Sequence, residues 1–226
     1  MQELMTKDAA LALGVSQRQV TELLRAGKLD GEQLQDGTWL VSRRALGERR
    51  AIHTGSGRAW SASSSWALLG ELSGRATEGL SQSTQARIRR RIRDSSVDEI
   101  ASKVATRTRV HRYSADSLTR TAADLTLTGA SAADLVDRTL TPETRRVEGY
   151  VRAGDLDDFV RRHLLTLDAE GDVTIYEAPE SEVFGRHASN ATIAADLARS
   201  VSTRERSAGL VALEDMRQAW LAKHTR

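Results

Sequence analysis

The chain of 226 residues has no cysteine. Disulfides, thiolate metal ligands and cysteine nucleophiles are therefore excluded together, and a reducing cytoplasm is the expected setting. No apolar run approaches the roughly 20 residues of a membrane span, so no membrane partner is expected. The opening MQELMTKDAALALGV lacks a basic segment followed by an apolar core, so it does not read as a secretory signal. Catalytic fingerprints are missing as well: there is no G-x-S-x-G, no P-loop and no dinucleotide-binding glycine motif. His53, His111, His163, His187 and His224 are scattered without metal-ligand spacing. The three aspartates of GDLDDF (154–159) suit the positive first turn of a helix better than a metal. No enzymatic activity, metal or cofactor is expected.

Hydrophobic residues make up 39% and charged residues 28%. That balance fits a globular protein, and the length suffices for one large domain or two small ones. The net charge of +2 hides an asymmetry. Residues 1–60 carry 9 basic and 7 acidic side chains, residues 61–126 carry 11 and 7, and residues 127–226 carry 13 and 17. A polyanion would favour the first half.

Four parts follow from pattern: residues 1–46; a Gly/Ser-rich connector, GERRAIHTGSGRAWSASSS (47–65); a mostly helical part, 66–140; and a part that alternates strand-like and helical runs, 141–226. WALLGELSG reads as a helix ending at Gly74. Ser81 opens SQSTQARIRRRIRD, and Ser96 with Glu99 has capping-box spacing. TRVHRY (108–113), RRVEGYV (145–151) and DVTIYEA (172–178) read as strands. SADSLTRTAADL and GDLDDFVRRHLL (154–165) read as helices. A last helix starts at Ser202, with Leu210, Leu213, Met216 and Trp220 at helical spacing. In RIRRRIR (87–93), Ile88 and Ile92 share one helical face. The arginines either form a phosphate-contacting surface or a socket for an acidic partner, or simply solvate a helix packed by its two isoleucines.

The first 46 residues carry the sharpest pattern. Thr6 is placed to cap TKDAALAL, with Asp8 in the first turn. Gly14-Val15 makes a tight turn. Ser16 caps a second helix and Gln19 completes a capping box. Ala9, Ala10, Leu13, Val20, Leu23 and Leu24 form the inner faces, which leaves Gln17, Arg18, Thr21, Glu22 and Arg25 outward. Gln and Arg can pair with adenine and guanine edges, and the first turn of a recognition helix enters the major groove. LDGEQLQDGTWLV then reads as a hairpin with Asp36-Gly37 in the turn, and Ser42 caps a third helix carrying Arg43 and Arg44.

Thr6, Ala10, Leu13, Gly14, Val15, Ser16, Gly27, Leu29, Trp39 and Ser42 stand in the order of a T-x-x-x-A-A-x-x-L-G-V-S core, an x-x-G-x-L helix end, and a hairpin with an aromatic before a polar-capped helix. Over about 40 residues this resembles the winged helix-turn-helix of excisionase and MerR-like DNA-binding proteins. The hairpin departs from that pattern in carrying Glu32 and Asp36. The resemblance implies double-stranded DNA as a partner. Ser16, Gln17, Arg18, Gln19, Thr21, Arg25, Lys28, Thr38, Arg43 and Arg44 are the candidate DNA-binding residues. Gln17, Arg18 and Thr21 would meet base edges; Arg25, Lys28, Arg43 and Arg44 would meet phosphates.

A second resemblance lies further on. TRTRVHRYSADSL, LTGASAADL, GYVRAGDLDDFVRRHLL, GDVTIYEAPES and ADLARSVSTRERSAGLVALEDM succeed one another as in antitoxins of the AbiEi type, which are encoded beside AbiEii-type nucleotidyltransferase toxins. It implies an α+β, helix-rich fold: a winged helix-turn-helix (1–50), a linker (51–65) and a mixed α/β antitoxin-like domain (66–226). It also implies repression of the protein's own operon and a nucleotidyltransferase-type toxin as partner. One small winged domain covers few base pairs, so tight operator binding is expected to need two copies on DNA. An architectural recombination directionality factor, and a transcription regulator without a toxin, remain the alternatives.

Overall fold

The computed structural model describes residues 4–26, 29, 31–52, 59–75, 80–179, 182 and 185–224. The fold is mixed, with helices predominating and two separate sheets. The first unit contains β1 (Leu4–Met5), α1 (Thr6–Leu13), α2 (Gln17–Arg25), β2 (Gly31–Gln33), β3 (Trp39–Val41) and α3 (Arg43–Ile52). β3 lies between β1 and β2, antiparallel to both. A small core of Ala9, Val20, Leu24, Leu29, Val41, Ala45 and Leu46 holds the helices to the strands.

The second unit begins with α4 (Ala62–Leu72), α5 (Gln82–Asp94) and α6 (Val97–Val104). It continues through β4 (Val110–Ser114), α7 (Leu118–Ala123), β5 (Thr126–Leu127) and a 3-10 segment (Gly129–Leu135). β6 (Val147–Arg152), α8 (Leu156–His163), β7 (Thr166–Leu167), β8 (Val173–Ala178), α9 (Asn190–Leu197) and α10 (Thr203–His224) complete it. The strands form one sheet in the order β5-β6-β8-β4-β7, with only β6 and β8 parallel.

Serines punctuate the helices as their spacing predicts. The hydroxyls of Ser16, Ser61, Ser81, Ser96 and Ser117 each accept the backbone N–H three residues on. The Thr6 expectation fails: Met5 is the N-cap of α1 and makes no side-chain cap. Thr6 instead accepts a hydrogen bond from Gln17 Nε2 at 2.7 Å. The connector also differs from expectation at both ends. α3 runs through Ile52 and α4 opens at Ala62, so residues 47–52 and 62–65 are helical; residues 53–58 lie outside the described residues.

Strand alternation gives the large sheet two unlike faces. Val147, Val151, Val173, Ile175 and Tyr113 point to one side, where Phe159 and Leu165 cover them. Tyr150, Tyr176 and Ala178 point to the other, under Trp66 of α4 and Ile193 and Leu197 of α9. Beyond α9, the helices α4, α5, α6 and α10 share a third core that includes Leu68, Leu69, Ile88, Ile92, Ile100 and Leu213. α9 is therefore buried on all sides. Gly209 explains how α10 approaches it so closely: a Cβ there would lie 2.5 Å from the Ala194 carbonyl oxygen and 2.6 Å from the Ala198 nitrogen.

Candidate nucleic-acid interface

α1 ends in a left-handed Gly14 (φ 65°), which a β-carbon would strain. The Gly14 N–H reaches the Leu11 carbonyl and the Val15 N–H reaches the Ala10 carbonyl, closing the helix as a Schellman motif. The chain re-enters a helix two residues later. Ser16 and Gln19 make the full capping box: the Gln19 N–H donates to Ser16 Oγ at 3.2 Å and the Ser16 N–H donates to Gln19 Oε1 at 2.9 Å. Val20 and Leu24 are buried beneath α2, and the opposite face is open.

The ten candidate residues divide by what their side chains already do. Ser16 and Gln19 are occupied with each other. Gln17 bridges to Thr6, and Thr21 Oγ1 donates to the Gln17 carbonyl at 3.1 Å. Arg18 has 87% of its side chain exposed, and its Nε meets Glu22 Oε1 at 2.9 Å one turn on. Arg25 is exposed in the last turn of α2, where the negative helix end favours a cation. Lys28 lies outside the described residues. Thr38 stands in the hairpin, which closes through a three-residue loop, Gln35-Asp36-Gly37, with the Leu34 N–H donating to the Thr38 carbonyl. The Asp36 carboxylate accepts the Thr38 N–H at 2.9 Å, and this bond lowers its pKa below the ordinary value. Arg43 is exposed.

Arg44 departs from the expected phosphate contact. It does not face solvent; 10% of its side chain is accessible. Cross-strand register places Arg112 of β4, Thr174 of β8 and Glu148 of β6 in one row on the same sheet face. α3 lies against that row. Arg44 reaches Glu148 Oε1 at 3.5 Å, the Gly171 carbonyl at 3.3 Å and Thr174 Oγ1 at 3.5 Å, while Arg112 reaches back to Glu48 Oε2 at 2.6 Å. Ser42 caps α3 through the Ala45 N–H at 3.2 Å and donates to Glu170 Oε1 at 2.6 Å. Gly47 admits Val201, whose Cγ1 would lie 3.0 Å from an added Cβ. α3 is thus a docking element between the two units, while Arg18 and Arg25 of α2 stay exposed.

A second polar group lies deeper. Arg107 and Asp196 form an ion pair at 2.6 Å with neither side chain exposed. Thr128 and Tyr150 donate to the other Asp196 oxygen, both at 2.8 Å, and the Arg107 guanidinium lies over Trp66 at 5.0 Å. Sequence reading passed over these residues. The available signal was Asp196 itself, one acid inside the apolar run NATIAADLA.

Among the described residues, no group of three or more His, Asp or Glu side chains is arranged to hold a metal. None of their helices is long and apolar enough to cross a membrane. Arg89 of the basic run approaches Glu71 at 3.7 Å and Arg91 lies over Trp60 at 4.7 Å, while Ile88 and Ile92 are buried. Comparison with protein-family models, with curated proteins and with solved structures finds no match to this chain.

Proposed function

We propose that the chain is a DNA-binding antitoxin that represses its own operon and neutralises a nucleotidyltransferase-type toxin. The observation that carries the DNA-binding half is the open face of α2. Its first turn is capped, and Arg18 and Arg25 are exposed, whereas Arg44 of α3 is taken up at the seam. In this reading the first unit is a winged helix-turn-helix. α2 lies in the major groove, Arg18 meets a base edge, and Arg25, Lys28 and Arg43 meet phosphates. Gln17 exchanges its Thr6 contact for a base edge. The exposed Arg18–Glu22 pair is worth about 0.3–0.5 kcal/mol, so releasing Arg18 costs little beside a good base contact of roughly 1–3 kcal/mol. Arg44 has no part in this binding. The toxin-neutralising half rests on the ordered motifs of residues 106–216.

The test is binding of the full chain to a duplex from upstream of its gene and to a random duplex, each at two salt concentrations, followed by co-purification with the product of any adjacent nucleotidyltransferase gene. Sequence-dependent binding that weakens with salt supports the DNA reading. Absence of binding at both salts removes it. Failure of the two proteins to associate, and of the chain to relieve toxicity, removes the antitoxin reading while leaving DNA binding intact.

A further inference from the structure

Between α3, β6, the end of α9 and the start of α10 lies a cleft of about 90 Å³. Arg199 forms part of its wall. This side chain is 7% exposed, and its Nε and Nη1 are buried with no hydrogen-bond partner among the described residues. Its guanidinium stacks over Tyr176 at 5.3 Å, which fixes its plane without satisfying its donors. Buried arginine donors are ordinarily paired, because losing water without replacement is costly.

No neighbour supplies Arg199 with a counter-ion in contact. Arg44, Arg107, Arg112, Arg146 and Arg199 stand beside Glu48, Glu143, Glu148, Asp196 and Glu205, so the charges match in number, yet none of these carboxylates accepts a hydrogen bond from Arg199 Nε or Nη1. Each carboxylate is already taken. Glu48 holds Arg44 and Arg112; Asp196 holds Arg107, Thr128 and Tyr150; Glu148 holds Arg44 and the Ala130 N–H. Asp196 and Glu48 act on Arg199 only through space. Arg49 is depressed below its ordinary pKa, first by burial and then by the charge of Arg199. A guanidinium does not escape such a site by losing its proton.

We propose that this cleft binds a small oxyanion of the phosphate class, with Arg199 as its principal ligand and Arg146, exposed at the mouth, as the second. The start of α10 adds its positive end from Ser202. Glu143 and Glu205 also line the mouth, engaged by the Arg145 N–H and by Ser200 Oγ. Two carboxylates there turn away an extended polyanion and admit a compact ion. Because Arg44 and Glu48 of α3 form part of the wall, the bound anion fastens the first unit to the second. The site stands independently of the DNA-binding reading.

The test is a thermal-shift and calorimetric titration of the full chain with inorganic phosphate, against chloride at equal ionic strength and pH. Phosphate should raise Tm along a saturable curve. Arg199→Gln should lose about tenfold or more in affinity, and Arg146→Ala about threefold, as charge-assisted contacts are removed. A parallel titration with a nucleoside monophosphate separates the sources: tighter binding assigns the phosphate of a nucleotide, equal or weaker binding assigns the free ion. No stabilisation beyond chloride overturns the proposal, as does wild-type affinity in Arg199→Gln. If Arg199→Gln does not fold, unchanged affinity in Arg146→Ala overturns it.

Discussion

Asp196→Asn changes the molecule by little more than one charge. The amide oxygen can still accept from Thr128 and Tyr150, both at 2.8 Å from the native carboxylate. Its NH2 then faces Arg107 Nη2, where the native oxygen sits at 2.6 Å. Burial pulls the pKa of the Arg107 guanidinium down, and the charge of Asp196 outweighs it and holds the group above its ordinary value. With that charge gone, Arg107 is a buried cation without its counter-ion. Breaking such a pair costs roughly 3–5 kcal/mol. For a chain of this size each kcal/mol moves Tm by about 2–4 °C, so a fall of roughly 6–20 °C is expected. The assay is urea denaturation followed by circular dichroism, with Tm measured alongside. Adding Arg107→Met to Asp196→Asn removes the stranded charge and should recover about 2 kcal/mol. A single variant within about 1 kcal/mol of wild type would refute the reasoning, and so would a double variant no more stable than the single.

The other expectations concern the seam between the units and the packing of α10. Burial, opposed by Arg44 and reinforced by Glu48 and Asp196, pushes the Glu148 carboxyl up to about 7 from an ordinary 4.5. The folded state therefore holds more protons than the unfolded chain between those values. Stability should fall as pH rises through that window, by up to about 3 kcal/mol. Glu148→Gln should flatten the fall, and a wild-type-minus-variant Tm difference that does not change with pH would contradict it. Arg44→Ala should cost about 1–3 kcal/mol by taking the cation from Glu148 and leaving Glu48 to Arg112 alone, whereas Arg18→Ala should stay within about 0.5 kcal/mol; equal effects in denaturant would undo the assignment of Arg44 to the seam. Gly209→Ala should cost about 1–3 kcal/mol by pushing α10 off the α9 backbone, and unchanged stability would show that the two helices have room to spare.

Elements with a one-residue signature were legible in the sequence. Ser16, Ser81 and Ser96 mark helix starts through the N–H groups that each hydroxyl satisfies, and the alternation in RRVEGYV and DVTIYEA marks the two parallel central strands. α9 was not legible, because a helix buried on every side has no polar face to supply a period. β5 and β7, two residues each, are shorter than any alternation. Among the candidate site residues, the outward set on α2 followed from helical periodicity, and Arg18 and Arg25 are exposed as expected. Arg44 could not be read in the same way. Periodicity shows that a side chain points away from its own helix's core, and here that direction leads into the sheet of the second unit. The Arg107–Asp196 pair and Arg199 were hidden for the related reason that their partners are distant in sequence.

DNA reading by the open face of α2 remains the proposal on which the functional reading depends. Fluorescence anisotropy on the duplex upstream of the gene, with wild type and Arg18→Ala at equal salt and with both variants verified as folded, tests it most directly. Arg18→Ala should weaken binding by roughly 1–3 kcal/mol on that duplex and far less on a random one. Equal affinity of the two proteins for the upstream duplex, or no binding by either, would contradict it.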